Sequence, residues 1–130
     1  MRKPDTDLGL LILRVGLGGM MLTHGVPKLL KGPELWSKLG AAIEVVGINV
    51  GQSFFGAAAV GAETLGALLV ILGWKTRPAA ITIVLTMAVA TMVHVEKNDG
   101  WSTVSHPIEV GIGFLAIAIA GAGRYRLGRK

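Results

Sequence analysis

The 130-residue chain has no cysteine, and charged residues make up only 16% of it. The absence of cysteine excludes a disulfide framework, a cysteine-ligated zinc or iron–sulfur site and a thiol redox relay within this chain. A hydrophobic content of 52% with so little charge is not that of a disordered chain. No dinucleotide-binding fingerprint is present, so the chain does not supply a flavin site by itself.

Long apolar runs are what the chain has in abundance. Four of them cover residues 8–30, 54–74, 78–95 and 107–122. As helices, the first three are long enough to cross a hydrocarbon core of about 30 Å, and the fourth needs flanking residues to complete the crossing. Because a soluble bundle shows a polar face on every helix, these runs indicate a membrane protein. We therefore predict an all-α fold, one antiparallel bundle of four transmembrane helices that forms a single domain over residues 1–130.

The segment between the first two runs has its own helical pattern. Gly32-Pro33-Glu34 is typical of a helix start, and Trp36 adds an aromatic residue of the kind found at membrane interfaces. Apolar residues then recur at helical spacing, at Leu35, Leu39, Ile43 and Val46. We predict a short amphipathic helix at the membrane interface between the first and second transmembrane helices.

Lysine and arginine are distributed unevenly between the two sides of the predicted bundle. The side that carries both termini has eight of them: Arg2, Lys3, Lys75, Arg77, Arg124, Arg126, Arg129 and Lys130. The other side has four: Lys28, Lys31, Lys38 and Lys97. The positive-inside rule then places both termini in the cytoplasm. The basic tail is explained by membrane lipid as a partner, and we expect no nucleic-acid partner.

Two charged residues are predicted to lie deep inside the membrane. Arg14 lies about 9 Å from the inner end of its helix, and Glu63 about 16 Å from the inner end of the next. The difference is within the reach of an arginine side chain, so we predict an intramembrane ion pair between Arg14 and Glu63. Such a pair either fixes the register of the helices or takes part in proton movement or ligand binding.

A second polar group is predicted near the outer face. His24 and Lys28 are one helical turn apart, and His94 lies at the outer end of the third run. His106 precedes the fourth run, and Glu109 lies within its first turn. Antiparallel packing brings these five side chains to one depth, and the layer includes all three histidines of the chain.

Three interpretations of this layer remain open. It could hold a transition metal, but no His-x-x-x-His pair supports that, and we assign no metal ligand. It could bind the head group of a quinone or a similar amphiphile, where a histidine or a glutamate exchanges a proton. It could also be a network of interfacial hydrogen bonds with no ligand.

Three strings of residues carry a resemblance to a known family. The string LRVGLG at 13–18 with THGVPKL at 23–29 is similar to the opening motif of the DoxX family of small bacterial membrane proteins. The string GAETLGALLVILG at 61–73 resembles the second motif of that family, and Glu109 with GAGRY at 121–125 resembles the last. Ala122 stands where the family commonly has proline, and Arg126 and Gly128 replace its serine and aspartate.

The resemblance implies a four-helix bundle in the bacterial cytoplasmic membrane and an association with membrane redox systems. One relative is a subunit of an archaeal thiosulfate:quinone oxidoreductase, which favours a quinone as the ligand. The residues that match family motifs, and so carry over as functional or structural positions, are Arg14, His24, Lys28, Glu63 and Glu109.

The sequence leaves three functions open. The first is the membrane subunit of a redox system that binds a quinone-like amphiphile near the outer face, with electrons supplied by a protein partner. The second is a non-catalytic scaffold that assembles another protein or a homo-oligomer. The third is a carrier of a small solute or lipid. Whether the chain is an enzyme does not follow from the sequence.

Overall fold

The computed structural model describes residues 4–128, and every regular element in that range is helical. The bounds of the helices are Thr6–Lys31 for α1, Pro33–Gly40 for α2, Gln52–Leu72 for α3, Thr76–Glu96 for α4 and Trp101–Ala120 for α5. The four longer ones, α1 and α3 to α5, are long and apolar enough to cross a membrane. The predicted all-helical bundle with four membrane spans is confirmed. Arg2, Lys3, Arg129 and Lys130 lie outside the described residues.

The described ends of the chain meet at one end of the bundle, which we call the terminal face. It comprises the start of α1, the turn between α3 and α4, and the terminal segment 121–128. The Arg124 amide donates to Asp7 Oδ1 at 3.1 Å, and the Leu127 amide donates to the Leu72 carbonyl at 2.8 Å. The opposite end, formed by residues 31–51 and 97–100, is the loop face.

The sequence places α2 in contact with the start of α3 because both helices carry glycine at the crossing. A Cβ added to Gly40 would overlap the carbonyl oxygen of Gln52, and one added to Gly56 would overlap that of Trp36. The two backbones therefore touch directly. The Trp36 indole also donates to the Lys28 carbonyl at 2.8 Å. The predicted short helix is present, and a 3₁₀ turn over Ala41–Val46 extends it.

The helix α3 is not uniform along its length. Its middle, Ala62–Gly66, is wound as a π-helix, and Glu63 lies inside this wider turn. Such segments are rare and are found frequently at functional sites. The helix ends at Gly73, which has a φ of 74° and so a backbone conformation that glycine adopts without strain.

The last helix starts earlier than the apolar run suggests. It begins at Trp101 rather than at Pro107, so the polar connection after α4 is only Lys97–Gly100. Pro107 lies inside the helix, where a proline usually removes a hydrogen bond. Membrane helices tolerate proline because neighbouring groups satisfy the freed carbonyl. The earlier start gives α5 the length that the fourth run lacked.

Side-chain burial divides the bundle into a small core and an apolar exterior. The buried core includes Met21, Ala67, Val70, Ala80, Ile83, Phe114 and Ile117. Large apolar side chains are exposed on the outside of all four long helices, among them Ile12, Leu65, Leu85, Ile112 and Ile119. A soluble protein of this size does not expose so many, whereas a lipid environment favours them.

Candidate functional site

An ion pair inside the bundle joins Lys28 of α1 to Glu63 of α3. The Lys28 Nζ lies 2.7 Å from Glu63 Oε2, and the Glu63 side chain is only 7% exposed. The helices come close here because Gly25 packs against the Glu63 backbone, with no room for a Cβ. Lys28 is one turn beyond Gly25, so its long side chain reaches the carboxylate.

This ion pair lies in the wall of a cavity of about 540 Å³ between the helices. The volume is in the range of small-molecule sites, which combine an apolar wall with a few polar groups. The polar lining residues are His24, Lys28, Glu63, His94, Thr103 and His106. The apolar lining residues are Leu17, Met20, Met21, Met87, Ala90, Pro107 and Val110.

All three histidines line the cavity. The rings of His24 and His106 are 5.8 Å apart between centroids and tilted by 52°. Both residues are exposed, so their imidazoles remain accessible. His94 is engaged differently, since its Nδ1 lies 2.7 Å from Asp99 Oδ2. This contact with the carboxylate fixes the orientation of the His94 ring.

Glu109 does not join this group. It is exposed on α5 and is absent from the cavity lining. The reason is its position on the helix: Thr103, His106, Pro107 and Val110 form the face of α5 that lines the cavity, and Glu109 lies beside that face. The structure thus brings together His24, Lys28, His94 and His106. The carboxylate of this group is that of Glu63, not that of Glu109 as predicted.

Arg14 and Glu63 do not form the predicted ion pair. Arg14 is fully buried, and its Nη1 donates to the Val70 and Ile71 carbonyls at 3.2 and 3.0 Å. Its Nη2 donates to the Tyr125 carbonyl. The guanidinium thus binds the last carbonyls of α3, where a helix carries partial negative charge. The role of Arg14 is to join α1, α3 and the terminal segment.

Two features of the site, the contact of His94 with Asp99 and the π-helical turn at Glu63, do not follow from the apolar runs and the spacing of the polar residues. The pattern places Asp99 in a polar loop, although this residue lies only five positions after His94 and so next to the end of the same helix. The π-helical turn around Glu63 has no recognisable sequence signal. The His94–Asp99 contact could have been predicted from the separation of five residues, whereas the π-helical turn could not have been predicted.

The donor set of the cavity indicates which ligands it can take. Among residues 4–128, no cluster of three histidine or acidic side chains has the geometry of a metal site. The cavity offers instead two accessible imidazoles and a carboxylate already neutralised by an ammonium group. Imidazoles next to an apolar wall can donate hydrogen bonds to the oxygens of an uncharged ring and exchange protons with it.

The fold and the exposed apolar surface define an integral membrane protein with several spans. A sequence model of the DoxX family matches residues 9–95, which is more than half of the chain, and the chain belongs to that family. The match contains Arg14, His24, Lys28, Glu63 and His94, while His106 and Glu109 lie beyond it. Comparisons with curated proteins and with solved structures give no match.

Proposed function

We propose that this protein is a membrane subunit of a redox system and binds a quinone-like amphiphile in the cavity. The observation that carries the proposal is the convergence of four helices on one largely apolar cavity whose lining includes three histidines. A quinone head group is flat, uncharged and bears two carbonyl oxygens. The apolar wall suits its ring and tail, and the imidazoles suit its oxygens.

His24 and His106 are the residues to which we assign proton exchange. Reduction of a quinone to a quinol takes up two electrons and two protons, and an imidazole can pass a proton to a quinone oxygen. The Lys28–Glu63 ion pair joins α1 to α3 in the wall of the same cavity. The chain has no cysteine and no dinucleotide fingerprint, so the electrons must come from a partner protein.

The distribution of charge supports one orientation in the membrane. Four cations lie at the terminal face: Lys75, Arg77, Arg124 and Arg126. By the positive-inside rule this face is cytoplasmic, which puts the cavity nearer the outer side of a bacterial inner membrane. Attaching a reporter enzyme that is active only in the cytoplasm to the C-terminus tests this placement.

The first experiment measures quinone retention and binding by the full chain in mild detergent. Mass spectrometry of extracted lipids should find isoprenoid quinone, and a short-chain ubiquinone should bind to protein from which the native lipid has been removed. Replacing His24 or His106 with Ala should weaken that binding about tenfold, since a lost hydrogen bond of about 1.4 kcal/mol corresponds to that factor. Thr23→Ala is the control, since Thr23 is exposed on α1 and does not line the cavity.

A cavity-filling variant gives an independent test that removes no polar group. Ala90 lines the cavity, whereas Ala88 is exposed on another face of α4. Ala90→Phe should abolish ubiquinone binding, and Ala88→Phe should leave it unchanged. Equal affinity in both variants, or no quinone bound by the wild type, would show that the cavity is not a quinone site.

A scaffold is the second candidate function, and the position of Glu109 favours it. Glu109 is the ninth residue of α5, exposed and without a hydrogen-bond partner among residues 4–128. A carboxylate at membrane depth is costly unless another chain or water contacts it.

Thiol crosslinking tests this candidate, and the natural absence of cysteine means that an introduced cysteine is the only reactive thiol of the chain. Glu109→Cys should crosslink to a partner or a second copy in membranes, whereas Leu85→Cys, exposed on α4, should not.

A further inference from the structure

A second cavity, of about 890 Å³, opens at the terminal face, far from the histidines. It lies between the turn that joins α3 to α4 and the terminal segment 121–128. Among residues 4–128, four basic side chains line it, those of Lys75, Arg77, Arg124 and Arg126, and no acidic residue does. The proposed function makes no use of this cavity, which shares no lining residue with the cavity that the histidines line.

Three of these four cations have no anionic partner among residues 4–128. Arg124 is neutralised, because its guanidinium contacts Asp5 and Asp7 at 3.2 and 3.7 Å. Lys75, Arg77 and Arg126 form no such pair. Like charges gathered around one cavity repel each other unless an anion lies between them. The cavity therefore has the electrostatics of an anion site.

The start of α4 opens into the same cavity. The helix is 21 residues long, and no side chain within the described range 4–128 caps its first amide groups. An uncapped helix start carries partial positive charge and N–H donors that suit a phosphate. Thr76, the first residue of the helix, lines the cavity and is 5% exposed. Its Oγ1 is buried without a hydrogen-bond partner in the part of the chain the structure describes.

Buried hydroxyl groups in native proteins nearly always have a partner. We propose that the missing partner is a phosphate group, held by the Thr76 hydroxyl, the first amides of α4 and the side chains of Arg77 and Arg126. Arginine is well suited to phosphate because its planar guanidinium donates two parallel hydrogen bonds. The group belongs either to the head group of an anionic phospholipid or to a soluble phosphate, and both present the same oxygens.

The experiment titrates the full chain in mild detergent and counts bound ligand by native mass spectrometry. Phosphatidylglycerol should bind with one tight site, and the double variant Arg77→Gln with Arg126→Gln should weaken it at least tenfold. The matched control, Lys38→Gln with Lys97→Gln, removes the same charge from the loop face and should change the affinity by less than twofold. Equal losses in the two double variants would overturn the site, because they would indicate general charge attraction.

Thr76→Val separates a binding role from a structural one. Valine keeps the shape of threonine and removes the unpartnered hydroxyl, so the ligand-free protein should melt at the same or a higher temperature. Phosphatidylglycerol affinity should nevertheless fall severalfold. An unchanged affinity in this folded variant would overturn the assignment of Thr76.

Inorganic phosphate identifies the source of the group. If millimolar phosphate displaces phosphatidylglycerol from the wild type, the site recognises the phosphate itself and accepts soluble esters. If phosphatidylglycerol binds and phosphate does not compete, the site is one for a lipid head group. Failure of both ligands to bind the wild type would overturn the proposal.

Discussion

The direction of a helical side chain decides which charged residues meet in this bundle. Side chains in a helix lean toward its N-terminus, which for α1 is the terminal face. Arg14 therefore leans away from Glu63 and reaches the carbonyls of Val70 and Ile71. Lys28, near the loop-face end of α1, leans toward Glu63 and contacts it. Depth along the axis is a correct guide to burial and a wrong guide to pairing, because it ignores this lean.

Double-mutant cycles should distinguish the two arrangements. Lys28→Met and Glu63→Gln should show a coupling of about 0.5–3 kcal/mol in the free energy of unfolding, as contacting residues do. Arg14→Leu should cost more than about 3 kcal/mol, since it removes several charge-assisted hydrogen bonds to buried carbonyls. Its effect should add to that of Glu63→Gln within about 0.5 kcal/mol.

These energies are measurable by steric trapping or by reversible denaturation in detergent. A coupling between Arg14→Leu and Glu63→Gln as large as that between Lys28→Met and Glu63→Gln would contradict the arrangement.

The sequence predicted the composition of the polar layer only in part. The histidines and Lys28 could be placed in one layer from their spacing, but Glu109 could not be excluded from it. Which side of a helix faces inward depends on packing that a nearly uniform apolar surface does not reveal.

At the scale of the elements, the contact between α2 and α3 fixes the loop face. The backbones touch at Gly40 and Gly56, where any side chain would overlap a carbonyl. By contrast, a Cβ at Gly61 would meet nothing within 4 Å. Gly56 and Gly61 of α3 thus have different structural roles, although the sequence gives no sign of the difference.

A pair of alanine substitutions should expose this difference. Gly56→Ala should separate α2 from α3 and lower the melting temperature by several degrees, because the backbones cannot move apart without losing the contact. Gly61→Ala should be neutral or stabilising by up to about 1 kcal/mol, since alanine favours a helix. Thermal unfolding in detergent, followed by circular dichroism, compares them. Similar melting temperatures for the two variants would show that the close crossing does not form.

The elements themselves were largely predictable. Apolar length predicted the four spans, and the Gly-Pro-Glu start predicted α2. The start of α5 was not predictable, because Pro107 resembles the first residue of a helix and lies well inside one. Propensity rules written for water do not account for partners that a membrane bundle provides.

At the scale of the whole molecule, the terminal segment closes the bundle by contacting α1 and α3. Arg124 contacts Asp5 and Asp7, and the Leu127 amide donates to the end of α3. The pKa of Arg124 is raised above its ordinary value, mainly by the hydrogen bond to the Tyr125 hydroxyl and less by the charges of Asp5 and Asp7. Arg124 is therefore a cation at any physiological pH.

Removing the acidic partners should loosen the terminal segment without unfolding the bundle. In Asp5→Asn with Asp7→Asn, trypsin should cleave after Arg124 or Arg126 severalfold faster than in the wild type. Added salt should reduce the difference in cleavage rate between the variant and the wild type, because salt screens the exposed ion pairs of the wild type. Glu96→Gln, an exposed change at the loop face, is the control. Identical cleavage rates in the three proteins would show that the ion pairs do not hold the segment.

The hydrogen bonds of Arg14 set an order for the assembly of this protein in the cell. The guanidinium emerges from the ribosome with α1, long before the Val70, Ile71 and Tyr125 carbonyls to which its Nη1 and Nη2 donate. An isolated arginine in lipid is costly. Arg14 therefore gains these partners only after the end of α3 and the terminal segment have been made. A chain that stalls before residue 70 lacks the two carbonyls at the end of α3 that accept hydrogen bonds from Arg14.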